Sequence, residues 1–294
     1  MANTTHLQWA SMSAEELEWH FNPRHTVTNS DRYGSARDGL NRAALAERRA
    51  DIQYGHQPMQ NLDIYLPSTK EPLLPVHVFI HGGYWRSRVK EDFAFIGSAL
   101  SQHGILSVII NYPLCPAVTL DGVVASAQLA IHWIQREISS FGGDPQRISL
   151  SGHSSGAHLV AAILSQDAAG EGEALTGLSG AVLISGIYDP APARRISVNV
   201  ELRLDEGLCE RHNYLSVPRR ISCPARVLFG AEEPSGWAAQ SLAYAEHASL
   251  GHQPVECISS AGENHFSILD QFLRPNSDVP VSYTHLTLPT NREV

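Results

Sequence analysis

The chain opens with helix-like patterns of polar and apolar positions. Ser13 and Glu16 have the spacing of a capping box and precede an apolar run, which predicts a short helix that ends before Asn22-Pro23. The stretch 36–50, rich in Ala, Arg, Glu and Leu, predicts a second helix. We expect residues 1–50 to form an N-terminal helical extension that is accessory to a core sheet.

Strand-like patterns follow. Residues 51–54 and 61–66 alternate polar and apolar positions around a turn with Gly and Pro, which predicts an antiparallel hairpin at a sheet edge. The apolar run 76–80 predicts an interior strand, and from there strands alternate with helices. This order favours an α/β fold with a mostly parallel central sheet and helices on both faces. Further strands are predicted at 106–110, 147–150, 181–184, 225–229 and 255–258, and helices at 93–103, 120–140 and 157–164.

Between one of these strands and the following helix stands Gly152-His153-Ser154-Ser155-Gly156. A serine in such a sharp turn takes a strained conformation with its Oγ exposed, and the backbone approaches so closely that only glycine fits two residues before and after. Chance alone would produce a G-x-S-x-G in a chain of this length with odds of roughly one in ten. The strand and helix around it are therefore what favour Ser154 as a catalytic nucleophile in a nucleophile elbow.

The sequence HGGYW, residues 81–85, follows the first interior strand. Two glycines at a strand end let backbone N–H groups turn toward a developing oxyanion. We expect the N–H groups of Gly83 and Tyr84 to form an oxyanion hole together with that of Ser155, supported by Gly82. A Gly-Gly turn that only connects two elements is the alternative.

A base and an acid are expected after later strands, because the chain order in this kind of fold is Ser, then Asp or Glu, then His. Strand 225–229 is followed by two adjacent carboxylates, of which Glu233 is favoured and Glu232 is the fallback. A solvated acidic loop is the alternative. Among fifteen histidines, His265 lies in the required position after strand 255–258. The sequence thus predicts a catalytic triad of Ser154, Glu233 and His265.

Length and composition narrow the class of protein. A chain of 294 residues with 43% hydrophobic residues can form one large α/β domain, which we expect over 1–280, with a cap-like excursion over about 190–220. The formal charge of −9 disfavours nucleic acid and anionic membranes as partners. No apolar run is long enough to span a membrane and no secretory leader is apparent, so we expect a cytoplasmic protein.

Metal and cofactor sites are not expected. The four cysteines are scattered without a C-x-x-C pair, and the closely spaced pair His77 and His81 lacks an accompanying carboxylate. The last stretch is a different matter, because residues 281–290 look like an in-frame translation of a transposon-derived sequencing adaptor. We expect 281–294 to be a non-native, disordered tail on a metagenomic gene fragment, with an ordinary polar tail as the alternative.

Together these motifs resemble the arylformamidase (kynurenine formamidase) family of α/β-hydrolases, from about residue 22 to residue 272. The resemblance implies Ser154 as nucleophile, His265 as base and an oxyanion role for the HGGYW loop. Two departures are that Ser155 replaces the family's usual alanine and that a glutamate stands where aspartate is common, which leaves Glu232 and Glu233 both open. The resemblance is carried by residues 81–85, 152–159, 185–189, 202–205 and 264–266.

The predicted triad indicates a serine hydrolase that acts through an acyl-enzyme without a cofactor. The family resemblance implies an aryl formamide such as N-formylkynurenine as its substrate. The alternatives are a carboxylesterase or an aryl amide or carbamate hydrolase with the same triad, and a catalytically inactive hydrolase-fold binding module. The family resemblance makes a homodimer plausible. Five aromatic residues are expected to form a wall against the aryl group: Tyr84, Trp85, Tyr188, Trp237 and Phe266.

Overall fold

One sheet of eight strands runs through the described residues of the computed structural model, which are 9–44, 48–69, 71, 73–166, 175–250 and 255–280. The strands are β1 (Arg48–Gln53), β2 (Asn61–Tyr65), β3 (Leu74–Ile80), β4 (Leu106–Ile110), β5 (Gly143–His153), β6 (Leu178–Ile184), β7 (Ala225–Gly230) and β8 (Glu256–Ser260).

The helices lie before and between these strands. They are α1 (Ala14–Phe21), α2 (Pro23–Thr26), α3 (Asp31–Ala44), α4 (Ala94–Ser101), α5 (Leu120–Glu137), α6 (Ser155–Leu164), α7 (Asn199–Leu202), α8 (Glu206–Arg211) and α9 (Ser235–Ala248). Short 3-10 turns occupy Trp9–Ser11, Lys90–Phe93, Ile138–Phe141, Ala191–Arg195 and Ser267–Leu273. No helix among the residues the structure describes is both long and apolar enough to cross a membrane.

The strands are ordered β1-β2-β4-β3-β5-β6-β7-β8. β1 pairs with β2 and β2 with β4 in antiparallel fashion, whereas every pair from β4 to β8 is parallel. Neighbouring side chains on a strand enter different apolar layers, since Val78 packs in one buried cluster and Phe79 in the other. This confirms the predicted α/β-hydrolase fold with an antiparallel N-terminal edge.

The N-terminal helices partly follow the sequence prediction. α1 begins with the predicted capping box, in which Ser13 and Glu16 each bond the other's backbone N–H. The predicted helix 36–50 has wrong bounds, because α3 starts and ends earlier and residues 48–50 belong to β1. Pairing with β2 and an ion pair from Arg48 to the buried Asp63 hold those residues in the sheet against their helix propensity.

The stretch 190–220 contains short helices and loops, in the form of the turn Ala191–Arg195, α7 and α8. Its designation as a cap-like excursion of one domain over 1–280 stays a prediction. The tail expected to be non-native, 281–294, lies outside the described residues.

Candidate active site

The turn between β5 and α6 carries a strained serine. Ser154 has φ 58° and ψ −123°, a conformation that costs a non-glycine residue on the order of 1–3 kcal/mol. A Cβ on Gly152 would overlap the carbonyl of Gly156, and a Cβ on Gly156 would overlap the carbonyl oxygen of Ile80 on β3. Both glycines are therefore required by close backbone packing, as the elbow pattern predicts.

The imidazole of His265 lies next to this serine. Its Nε2 is 3.1 Å from Ser154 Oγ, and the His265 residue is only 3% exposed. His265 sits in the loop between β8 and the turn Ser267–Leu273, where its ring lies 4.3 Å from the Trp237 ring and 4.7 Å from the His153 ring between centroids. These neighbours enclose the imidazole and hold its ring against the nucleophile.

His153 holds the backbone of the same loop. Its Nε2 lies 2.7 Å from the carbonyl oxygen of His265, and because a carbonyl only accepts, Nε2 must carry the proton. Burial holds the pKa of His153 well below its ordinary value, so this imidazole is neutral. Sequence reasoning assigned no role to His153, although it stands directly before the predicted nucleophile.

The carboxylate of Glu233 completes the chain of contacts. Its Oε2 is 2.8 Å from His265 Nδ1, and its side chain has no exposed surface. The other oxygen, Oε1, accepts from the Gly230 N–H at 2.7 Å and from the Ser185 hydroxyl at 2.5 Å. Glu232 is exposed and no contact joins it to His265 within the described residues. The structure therefore places Glu233, and not Glu232, beside the imidazole.

Ser185 is a site residue that sequence reasoning missed. It follows β6, is fully buried and has a positive φ of 50°, which aims its hydroxyl at the Glu233 carboxylate. The only available signal was its place in the stretch 185–189, which supports the family resemblance but gave no role for the hydroxyl.

The HGGYW loop turns left-handed beside the elbow. Gly83, Tyr84 and Trp85 have φ of 120°, 55° and 54°. In the part of the chain that the structure describes, the N–H groups of Gly83, Tyr84 and Ser155 donate to no protein acceptor, which leaves them available to an oxyanion. A Cβ on Gly82 would lie 2.9 Å from Ser154 Cβ, so glycine there permits the close approach of loop and elbow.

A cleft that is open to solvent lies over the nucleophile. One wall comes from the N-terminal segment, including Tyr33 on α3, whose ring stacks on Phe266 with centroids 5.9 Å apart. Arg37 fastens this wall to the His265 loop, because its guanidinium bonds Asp270 at 2.6 Å and the Phe266 carbonyl at 2.7 Å. α3 was expected to be merely accessory, and nothing in its sequence indicated this contact with a loop more than 200 residues away.

The expected aromatic wall is only partly present. Tyr84 and Phe266 line the cleft, and the Tyr84 hydroxyl donates to the Phe21 carbonyl at 2.6 Å. The other three predicted residues lie in the interior, which corrects the expectation of a five-membered wall. Trp85 packs edge-on against His158, Tyr188 stacks on Tyr244, and Trp237 packs against His265, with all three side chains nearly or fully buried. Filling the core between helix and sheet takes precedence for these large rings.

Among the described residues, no group of three or more His, Cys, Asp or Glu side chains is placed to hold a metal ion. The chemistry that the site can carry out with its own groups is nucleophilic. A hydroxyl, an imidazole and a buried carboxylate in hydrogen-bonded series, next to free backbone N–H donors, can form and break an acyl ester.

Several known proteins similar to this chain bear the names of hydrolases. The family model described as BD-FAE matches residues 62–176. A kynurenine formamidase of Danio rerio is 29% identical over 91% of this chain and 94% of its own length. A kynurenine formamidase of Salmo salar is 31% identical over 70% of this chain and 71% of its own length. Proteins named as esterases also match.

The fold recurs in solved structures. Esterase B of Lactobacillus rhamnosis, in a structure with a tributyrin phosphonate, superposes with a TM-score of 0.68 at 17% identity, over 84% of this chain and 87% of its own. The sequence likeness to the formamidases and the shared fold agree with the elbow and the HGGYW loop. The chain is therefore a hydrolase that belongs to the arylformamidase (kynurenine formamidase)-like family of α/β-hydrolases.

Proposed function

We propose that Ser154, His265 and Glu233 are the catalytic triad of a serine hydrolase. The observation that carries this proposal is the continuous series of contacts from Ser154 Oγ to His265 Nε2 at 3.1 Å and from His265 Nδ1 to Glu233 at 2.8 Å. Because Glu233 accepts from Nδ1–H, the Nε2 lone pair is directed at the serine hydroxyl and can take its proton. An inactive binding module would have no need for this complete series.

The reaction proceeds in two halves. Ser154 Oγ attacks the substrate carbonyl carbon while its proton passes to His265 Nε2, and the N–H groups of Gly83, Tyr84 and Ser155 stabilise the oxyanion. The imidazolium then protonates the leaving amine or alcohol, and the acyl group stays on the serine. Water, deprotonated by the same imidazole, attacks the acyl ester, and the acid is released with the serine hydroxyl restored.

For the substrate we propose an aryl formamide such as N-formylkynurenine. Two relatives bear the name kynurenine formamidase, one of them aligned over almost the whole chain. The cleft over the nucleophile has aromatic surface from Tyr33, Tyr84, Phe93 and Phe266, which suits an aryl leaving group. The product pair would be formate and the free aryl amine.

A carboxylesterase, or an aryl amide or carbamate hydrolase, is the second candidate. Relatives named as esterases favour it, and the triad chemistry is the same for an ester. A small-molecule substrate suits either candidate. A homodimer and a cytoplasmic location remain predictions from the sequence.

The substrate proposal is tested by kcat/KM for N-formylkynurenine against p-nitrophenyl acetate and butyrate. We expect the formamide to be preferred, and a preference for either ester would promote the second candidate. The triad is tested with Ser154→Ala and His265→Ala, each of which should lower kcat by about 10,000-fold or more while circular dichroism stays unchanged. Ser154→Ala should also abolish the burst of p-nitrophenol. A burst that persists in this variant would remove Ser154 from the mechanism.

A further inference from the structure

The hydroxyl of Ser155 touches the HGGYW loop, although the residue's only expected contribution was its backbone N–H. Its Oγ accepts from the Trp85 N–H at 3.2 Å, and neither residue has exposed surface. The hydroxyl therefore lies against the backbone of the loop, and Ser155 is not among the residues that line the cleft.

We infer that the Ser155 hydroxyl is a positioning group that holds residues 83–85, the oxyanion loop, in register with the N-terminus of α6. This inference rests on the proposed function, because it concerns the N–H donors of that reaction. It assigns Ser155 two separate tasks. The backbone supplies one oxyanion donor, and the side chain sets the place of the other two.

The loop needs such a restraint because of its backbone conformation. Tyr84 and Trp85 are consecutive non-glycine residues with φ of 55° and 54°, and such residues persist in the left-handed region only where their surroundings hold them. Within the loop, the N–H groups of Arg86 and Ser87 both return to the Gly83 carbonyl, at 3.2 and 3.1 Å. Those bonds close the turn on itself but do not join it to α6.

Trp85 is the residue that joins loop and helix. Its N–H meets Ser155, and its ring packs edge-on against His158 with centroids 4.8 Å apart. Positions 155 and 158 lie on one face of α6, so Trp85 is docked along that face at two points. Since Tyr84 directly precedes Trp85, the bond to Ser155 Oγ fixes the peptide next to a proposed oxyanion donor.

Removing the hydroxyl would leave the Trp85 N–H buried without its acceptor. The loop could then relax, and the Gly83 and Tyr84 donors would shift relative to the Ser155 N–H. Displacing these donors weakens the binding of the tetrahedral intermediate more than the binding of the substrate. The reason is that the oxyanion does not occupy the position of the ground-state carbonyl oxygen. A residue that only stabilised the fold would produce no such difference.

The test compares Ser155→Ala with Ser165→Ala, a buried serine at the other end of α6 whose hydroxyl has no hydrogen-bond partner among the residues that the structure describes. With p-nitrophenyl acetate, Ser155→Ala should lower kcat about 10- to 100-fold and leave KM within about threefold. The affinity for phenylboronic acid, which forms a tetrahedral adduct with a serine, should fall by the same factor. Ser165→Ala should leave all three quantities unchanged.

Two further measurements keep the result decisive. Amide hydrogen exchange by NMR should be at least about 10-fold faster at Trp85 in Ser155→Ala, because its N–H has lost its acceptor. Ser155→Thr keeps the hydroxyl, so its kcat should lie closer to that of the native protein than the kcat of Ser155→Ala does.

Unchanged kcat and boronate affinity in Ser155→Ala, or a loss of thermal stability without loss of kcat in the folded protein, would overturn the inference. Failure of the proposed function would give a different result, because activity would then survive in Ser154→Ala.

Discussion

Replacing Glu233 by glutamine should trap His265 in the wrong tautomer. In the native site, Glu233 Oε1 accepts from the Gly230 N–H at 2.7 Å and from the Ser185 hydroxyl at 2.5 Å. The backbone N–H of Gly230 can only donate, so the oxygen of a glutamine must stay on that side. Its NH₂ group then takes the place of Oε2, 2.8 Å from His265 Nδ1.

Two N–H groups cannot face each other, so the imidazole in Glu233→Gln must move its proton from Nδ1 to Nε2. Nε2–H lies 3.1 Å from Ser154 Oγ and can no longer accept the serine proton. An Asp→Asn change in a Ser-His-Asp triad lowers kcat by about 10,000-fold for this reason. We expect a loss of the same order, which corresponds to about 5.5 kcal/mol of transition-state stabilisation.

The assay is steady-state hydrolysis of p-nitrophenyl acetate by Glu233→Gln and Glu232→Gln. The second variant is the matched control, because the side chain of Glu232 is exposed and its change should leave kcat within about twofold. The glutamine at 233 is nearly the same size as the native side chain, so thermal unfolding should show a folded protein. Retention of more than a tenth of kcat in Glu233→Gln, or an equal loss in Glu232→Gln, would refute this account of the triad.

Two further predictions concern stability. Burial lowers the pKa of His77 to about 3 and that of His81 to about 4, so below pH 6.5 the unfolded chain binds protons that the folded chain does not. The free energy of unfolding should therefore fall as pH drops from 6.5 toward 4, by about 1.4 kcal/mol per histidine at pH 5.5; equal urea stabilities at pH 7.5 and 5.5 would contradict this. Gly156→Ala should destabilise the fold by about 2 kcal/mol or more, since its Cβ would overlap the Ile80 carbonyl oxygen. Gly39→Ala on α3, where nothing lies within 4 Å, should be neutral or stabilising in the same thermal scan, and equal effects of the two changes would argue against the packing explanation.

Local sequence patterns predicted the helices and strands whose formation depends mainly on residues that are neighbours in sequence. The run 106–110 is β4 with the predicted bounds, because a short, continuous apolar stretch suits a strand buried on both faces. The capping box at Ser13 likewise forms from neighbouring residues. The prediction failed at 36–50, where the end of a helix-prone stretch is drawn into β1 by β2 and by the buried Asp63. No local pattern contains that pairing.

The sequence predicted the nucleophile elbow and the HGGYW loop, because the strand, turn and helix impose glycine at fixed spacings. It predicted the order of serine, acid and histidine from the chain order that is typical of this fold. The sequence favoured Glu233 but kept Glu232 open, since two adjacent carboxylates in a loop look alike until Ser185 and Gly230 both bond one of them. Which aromatic rings face the cleft was also decided by tertiary structure, because the direction of these side chains follows their packing, as for Trp85 against His158 and Trp237 against His265. The N-terminal wall depends on contacts such as Arg37 with Asp270, which join distant parts of the chain. Residue types and spacings determined the chemistry available to this protein, and long-range packing decided which of those groups meet.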